Sequence, residues 1–204
     1  MKGVKIIFYF SLIITLYSFS GIDKPSIAHI GKTVNDFSLR NINNKNVSLN
    51  DFKNAKGFII VFTCNHCPFA KLYSERFNAL NSKYQPSGVP LLAINSMDTA
   101  MYDDESFELM QQKASIVKFN FPYLYDALQT VGKSFNAEHT PQAFVIWKEN
   151  NIWVIKYSGA IDDNGEHPEL ATTYIANAVE QLLHNKSVTK AETKSFGCKI
   201  FYRK

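Results

Sequence analysis

The sequence predicts an α/β fold, with a central mixed β-sheet, helices on both faces and a short N-terminal β-hairpin extension. Phe58-Ile59-Ile60-Val61-Phe62 is an unbroken apolar run with β-branched residues, the mark of a strand buried on both faces. A second such run, Leu91 to Ile94, follows a stretch of helical periodicity. Late in the chain, Ala143 to Trp147 and Trp153 to Gly159 flank the polar turn Lys148-Glu149-Asn150-Asn151 and precede one more helix. Early strand–helix alternation followed by a hairpin and a helix makes the sheet mixed.

Residues 1–20 carry Lys2 and Lys5, run apolar from Ile6 to Phe19 and offer small residues at Ser18, Ser20 and Gly21. That pattern is a signal peptide. The apolar run is short for a membrane span, which needs roughly 20 residues. An uncleaved signal anchor is the alternative, because Phe19 weakens the cleavage pattern. No cysteine lies near the expected cleavage site, which excludes a lipoprotein anchor there. Either form sends the domain out of the cytoplasm, to the periplasm or the outer face of a bacterial membrane, where disulfides persist.

The next elements follow in order. Asp36 to Leu39 and Val47 to Leu49 flank the turn-rich stretch from Asn41 to Asn46, a hairpin ahead of the main sheet. After the first buried strand, Phe69, Tyr73, Phe77, Leu80 and Tyr84 draw one apolar helical face, ended by Pro86 and Gly88. Asp103-Asp104-Glu105 puts acids at the start of a helix with Phe107, Met110, Ala114 and Val117 inward. Phe121 to Tyr125 is extended and Ala127 to Phe135 a short helix. The last helix, Pro168 to Leu183, turns Ala171, Ile175, Val179 and Leu182 inward.

The 204 residues divide into the targeting segment, one domain over 31–185 and a basic tail over 186–204. The chain is 46% hydrophobic and 20% charged, with 16 Phe and 10 Tyr, enough apolar surface for a core without disulfide staples. Its net charge of +4 falls to about +2 once Lys2 and Lys5 are set aside, too mild for a nucleic-acid partner. Lys186, Lys190, Lys194, Lys199, Arg203 and Lys204 face a single acid, Glu192, and the run suggests a solvated tail. A membrane contact is expected only if the signal stays uncleaved.

Chemistry concentrates at Cys64-Asn65-His66-Cys67, at the end of a buried strand and the start of a helix. Helix N-termini carry unpaired N–H groups and a partial positive charge, which stabilise a thiolate. The two-residue gap lets the sulfurs meet in one turn. The first cysteine of such a pair is usually the more exposed, making Cys64 the expected nucleophile and Cys67 the resolver. An imidazolium at His66 would favour the Cys64 thiolate, by roughly 30 mV for each 1.4 kcal/mol.

A buried strand, C-x-x-C at a helix start, and Thr140-Pro141 just before Ala143-Phe144-Val145-Ile146 resemble the thioredoxin superfamily. The resemblance implies a thioredoxin-like fold and a cis Pro141 facing the cysteines. It also implies a substrate groove shaped by Thr140, Pro141 and Asn65. More closely, the chain resembles bacterial peroxiredoxin-like (AhpC/TSA-related) redoxins with a Cys-Asn-His-Cys-Pro motif. That likeness covers nearly all of 31–201: Gly31 to Leu39, Thr63 to Lys71, Asp126 to Phe144, Gly159 to Asn164 and Thr193 to Cys198. It implies catalysis by Cys64, Cys67, His66 and Pro141, with no organic cofactor and protein or small-molecule thiols and disulfides as partners.

Two departures stand out. Peroxiredoxins carry P-x-x-x-[Thr/Ser]-x-x-C; counted back from Cys67 those places hold Ile60 and Cys64, and from Cys64 they hold Gly57 and Val61. A thiol peroxidase is thereby disfavoured. Thioredoxins bury an acid six residues before the first cysteine, and here Phe58 stands there, leaving Glu75 and His139 as candidate proton acceptors. A structural zinc site lacks its second close ligand pair. Cu(I) held by Cys64, Cys67 and His139 is the softer alternative, although copper carriers of this fold use a wider spacing. Asp162-Asp163-Asn164-Gly165 is a turn, with Thr173 where a calcium loop needs glutamate. Cys198 is left without a role: a third thiol at the site, a link to another chain, or a buried neighbour of Ile200.

Overall fold

Residues 29–204 are described by the structure, a computed structural model; the expected signal segment lies outside them. The chain runs β1 (Thr33–Val34), β2 (Ser38–Asn41), β3 (Asn46–Ser48), β4 (Gly57–Phe62), α1 (Pro68–Leu72), α2 (Ser74–Tyr84), β5 (Leu91–Asn95) and α3 (Phe107–Val117). It continues through β6 (Tyr123–Tyr125), α4 (Thr130–Phe135), β7 (His139–Thr140), β8 (Gln142–Glu149), β9 (Ile152–Gly159), α5 (Tyr174–Leu183) and β10 (Cys198–Lys199). Eight strands form one sheet in the order β1-β9-β8-β4-β5-β6-β2-β3, while β10 pairs with β7 apart from it. The sheet is mixed, since β4 is parallel to β5 and antiparallel to β8.

The expected hairpin forms between β2 and β3, Leu39 opposite Val47, and joins the sheet edge where β2 meets β6. β4 is buried at every residue, as its unbroken apolar run requires. Its side chains alternate: Ile59 and Val61 enter a core with Phe77, Tyr84, Ile175 and Val179. Phe58, Ile60 and Phe62 enter a second core with Phe135, Phe144 and both motif cysteines. Each large side chain so buried stabilises the fold by roughly 1.5–3 kcal/mol. Among the described residues, no helix is long and apolar enough to cross a membrane.

Two expectations need correction. The single helix through Phe69 and Tyr84 is broken at Tyr73, which ends α1 and caps α2. The i, i+4 register is lost there, so Tyr73, Phe77 and Tyr84 are buried while Phe69 is 43% exposed and stacks edge-on against Phe196. The basic tail is not simply solvated either. Thr193 N–H donates to the Ser158 carbonyl, Ile200 N–H donates to the Glu138 carbonyl, and the Ile200 side chain is buried beside the motif cysteines. Its lysines face water and Ile200 packs inward, while Phe196 and Phe201 stay 40% and 42% exposed.

Candidate active site

β4 delivers the chain to the site. Thr63 N–H still donates to the Ile94 carbonyl, and the next residues leave the sheet. The helix N-terminus lies at Cys67, which caps α1, with Pro68 in the first turn, where a missing N–H costs nothing. The motif thus spans the turn between strand and helix, with its second cysteine at the cap. Both cysteines are unbonded thiols and fully buried, so Cys64 is not the more exposed of the two.

Glu105, in the one-turn 3-10 helix Asp103–Glu105, lies beneath the motif with no exposed surface. Asn65 N–H donates to both of its carboxyl oxygens, at 3.0 and 2.9 Å, and His66 N–H to Oε1 at 3.0 Å. The His66 ring Nδ1 lies 2.5 Å from Oε1, and Asn95 Nδ2 donates to Oε2 at 2.6 Å. This one side chain therefore fixes the backbone between the two cysteines. Asn65 is also held by its own side chain, donating to the Asp104 carbonyl and accepting from Tyr123 Oη. The His66 ring stacks on Tyr102. Lys113 Nζ, lowered in pKa by burial, donates to the Cys64 carbonyl at 2.7 Å.

Thr140 closes the other side. The Thr140–Pro141 peptide is cis, as the resemblance implied. Thr140 Oγ1 lies 3.0 Å from Cys64 Sγ, and Cys67 in its thiol form donates to the Thr140 carbonyl at 3.1 Å. The Cys64 thiol is pushed far up by its hydrogen bond to Cys67, by burial and by the charge of Glu105. Cys67 is lowered to about 4 because Cys64 donates to it; against burial, the Cys198 thiol and the amides of Ala70 and Cys198 act the same way. The Thr140 carbonyl favours the Cys67 thiol, but these donors outnumber it. Cys198 is pushed up to about 12 by burial, by hydrogen bonding to Cys67 and by the charges of Cys67 and Glu105.

The structure thus gathers Cys64, Cys67, Thr140 and Pro141, with Asn65 and His66 anchored on Glu105. It does not bring the two candidate proton acceptors to the pair. Glu75 is exposed on an open cleft of about 560 Å³ lined also by Asn65, His66 and Lys113, and His139 Nδ1 faces Ser195 Oγ at 3.2 Å. Cys64 Sγ, a His66 ring nitrogen and a Glu105 oxygen lie within 4.8 Å of one another, which is not the Cys64, Cys67 and His139 set considered for Cu(I). A hard carboxylate already saturated by N–H donors suits soft Cu(I) poorly. Glu105 escaped the sequence reading because, next to Asp103 and Asp104, it looked like any acid at a helix start.

The chain matches the model of the AhpC/TSA family over residues 30–155. No curated protein matches it. Among solved structures it is similar to a hypothetical protein of Sinorhizobium meliloti at 29% identity and TM-score 0.79, covering 87% of this chain and 96% of that one. An uncharacterized conserved protein of Geobacillus kaustophilus is similar at 33% identity and TM-score 0.77, covering 85% and 92%. A peroxidoxin of Mycobacterium tuberculosis shares the fold at 18% identity and TM-score 0.52, covering 63% and 82%.

Proposed function

The chain belongs to the AhpC/TSA family and is a thioredoxin-like oxidoreductase, and for this member we propose thiol–disulfide exchange through Cys64 and Cys67 outside the cytoplasm. The observation that carries the proposal is the pairing of two thiols at the end of buried β4, against cis Thr140–Pro141, with Cys67 as helix cap. The thiolate rests on Cys67 and its proton on Cys64, the reverse of the sequence expectation. Oxidation joins the two sulfurs and passes two electrons to a partner disulfide, which takes one proton from Cys64 and one from water and leaves as two thiols. The reverse reaction oxidises a partner dithiol. His66 and Asn65 hold the loop, and Pro141 and Thr140 shape the wall that the sulfurs face. The basic–apolar–small pattern of residues 1–20 supports export to a compartment where either direction is sustained.

The test is the dithiothreitol-driven reduction of insulin. The wild-type protein should accelerate it, and Cys64→Ser and Cys67→Ser should each fall to background. Equal rates in all three would end the proposal. The lowered Cys67 also suits a thiol peroxidase, but the supporting Thr and Pro places hold Cys64 and Ile60. Thiol-dependent peroxide loss faster than disulfide exchange would favour that second reading.

A further inference from the structure

Cys198 is brought to the same pair through Thr140. β10 lies antiparallel to β7 with Cys198 opposite Thr140, the residue that touches both motif sulfurs. Thr140 Oγ1 also lies 3.5 Å from the Cys198 carbonyl, which can accept its proton. The Cys198 thiol and amide also favour the Cys67 thiolate. Gly197 makes this approach possible: at φ +145° any added Cβ would lie 2.2 Å from the Thr140 carbonyl oxygen. Cys64 and Cys67 are fully buried, whereas Cys198 is only partly so. A partner sulfur must approach a disulfide closely to exchange with it, and of the three sulfurs Cys198 is the one at the rim.

We propose that Cys198 is a third redox thiol that carries the disulfide between the buried pair and a polypeptide dithiol. The inference rests on the exchange function above. From the Cys64–Cys67 disulfide, Cys198 loses its proton and attacks Cys67. The Cys67–Cys198 bond forms, the Cys64–Cys67 bond breaks, and Cys64 takes up the proton, with no net oxidation. A partner thiolate then attacks Cys198, and Cys67 departs as a thiolate. A second partner thiolate attacks the first partner sulfur, releasing the partner disulfide and Cys198, which is reprotonated. Two electrons have passed to the protein.

The chemistry favours the transfer step. There Cys67 is the leaving group, and a low-pKa thiol leaves fastest. In the reduced protein the Cys67 thiolate and its hydrogen bond hold Cys198 protonated. Oxidation of the pair removes both, so of the causes that hold Cys198 protonated burial and the Glu105 charge remain, and Cys198 ionises more readily in the state in which it must attack.

The test is disulfide mapping by mass spectrometry after oxidation and rapid alkylation of the full chain. Wild type should yield Cys67–Cys198 peptides beside Cys64–Cys67, and Cys64→Ser should form Cys67–Cys198 within one chain. A Cys64→Ser protein that folds but forms no such bond, while wild type still forms Cys64–Cys67, overturns this inference and leaves the exchange function standing. Absence of both bonds overturns the function itself. As a second measurement, oxidised Cys198→Ser should oxidise a reduced dicysteine peptide roughly tenfold more slowly than wild type, since transfer loses its rim thiol. An equal rate would show that the partner reaches the pair directly.

Discussion

Replacing Glu105 separates its two roles, holding the Cys64-Asn65-His66 backbone and placing a charge behind Cys64. Glu105→Ala leaves the buried Asn65 amide and Asn95 side chain and the half-buried His66 amide without their acceptor. Each unsatisfied buried donor costs about 1–3 kcal/mol, and relaxation of the loop toward water trims the sum, so we expect a loss of about 4 kcal/mol. In a chain of this size that lowers Tm by about 8–16 °C. Glu105→Gln keeps one oxygen for the amides and loses the charge, so it should cost less than half as much. The charge lies within 4.8 Å of Cys64 Sγ. At an effective dielectric of about 20, unit charges 4.8 Å apart repel by about 3.5 kcal/mol, of which the His66 ring offsets a part. Neutralisation should therefore speed alkylation of Cys64 at neutral pH by roughly tenfold, the effect of about 1.4 kcal/mol on the thiolate. Chemical denaturation and alkylation followed by mass spectrometry read the two effects separately. A loss below about 1 kcal/mol for Glu105→Ala would refute the structural role, and an unchanged Cys64 rate in Glu105→Gln would refute the electrostatic one.

Other perturbations follow from the same geometry. Thr63 Oγ1 is, among the described residues, the buried side-chain oxygen or nitrogen left without a partner; Thr63→Val should therefore raise stability by about 1 kcal/mol, and a raised Tm of about 2–4 °C checks it. The reduced protein should keep thiolate absorbance at 240 nm from neutral pH down to about 4, where Cys67 takes up its proton. Because that pKa lies below the ordinary 9.0, the stabilisation by Cys67 is full above 9.0 and is lost as pH falls through about 4. A midpoint between pH 8 and 9 would contradict the stabilisation of the Cys67 thiolate by the Cys64 thiol and its neighbouring donors. His66→Ala removes the imidazole facing Glu105 and should lower the potential of the pair by some tens of millivolts. Alanine isolates the imidazole, whereas proline would also delete the His66 N–H that Glu105 accepts.

The framework was legible in the sequence wherever one physical pattern dominated. β4 and β5 are buried on both faces and carry unbroken apolar runs, and the late hairpin shows in its polar turn. The Cys64–Cys67 pair showed through its spacing and its place after a strand. Three features did not show. The break at Tyr73 hides because the aromatic spacing suits a continuous helix equally well. Glu105 hides among neighbouring acids, since only tertiary packing distinguishes it from Asp104, which is exposed. The return of the tail to Thr140 depends on a two-residue strand and on Gly197, with lysines between its apolar residues, too little periodicity for a local rule to catch. Which cysteine is the thiolate was hidden as well, because it depends on the hydrogen bond that Cys64 donates to Cys67, a contact that spacing alone does not orient.

The account turns on Cys64 and Cys67 being a redox couple, and their reduction potential tests that most directly. Equilibration in glutathione buffers, with mass-spectrometric readout of the linked peptides, should give a two-electron midpoint between about −120 and −270 mV. A value near the upper end would mark a donor of disulfides and one near the lower end a reductant. If the pair formed no disulfide at any poise, the central claim would be contradicted.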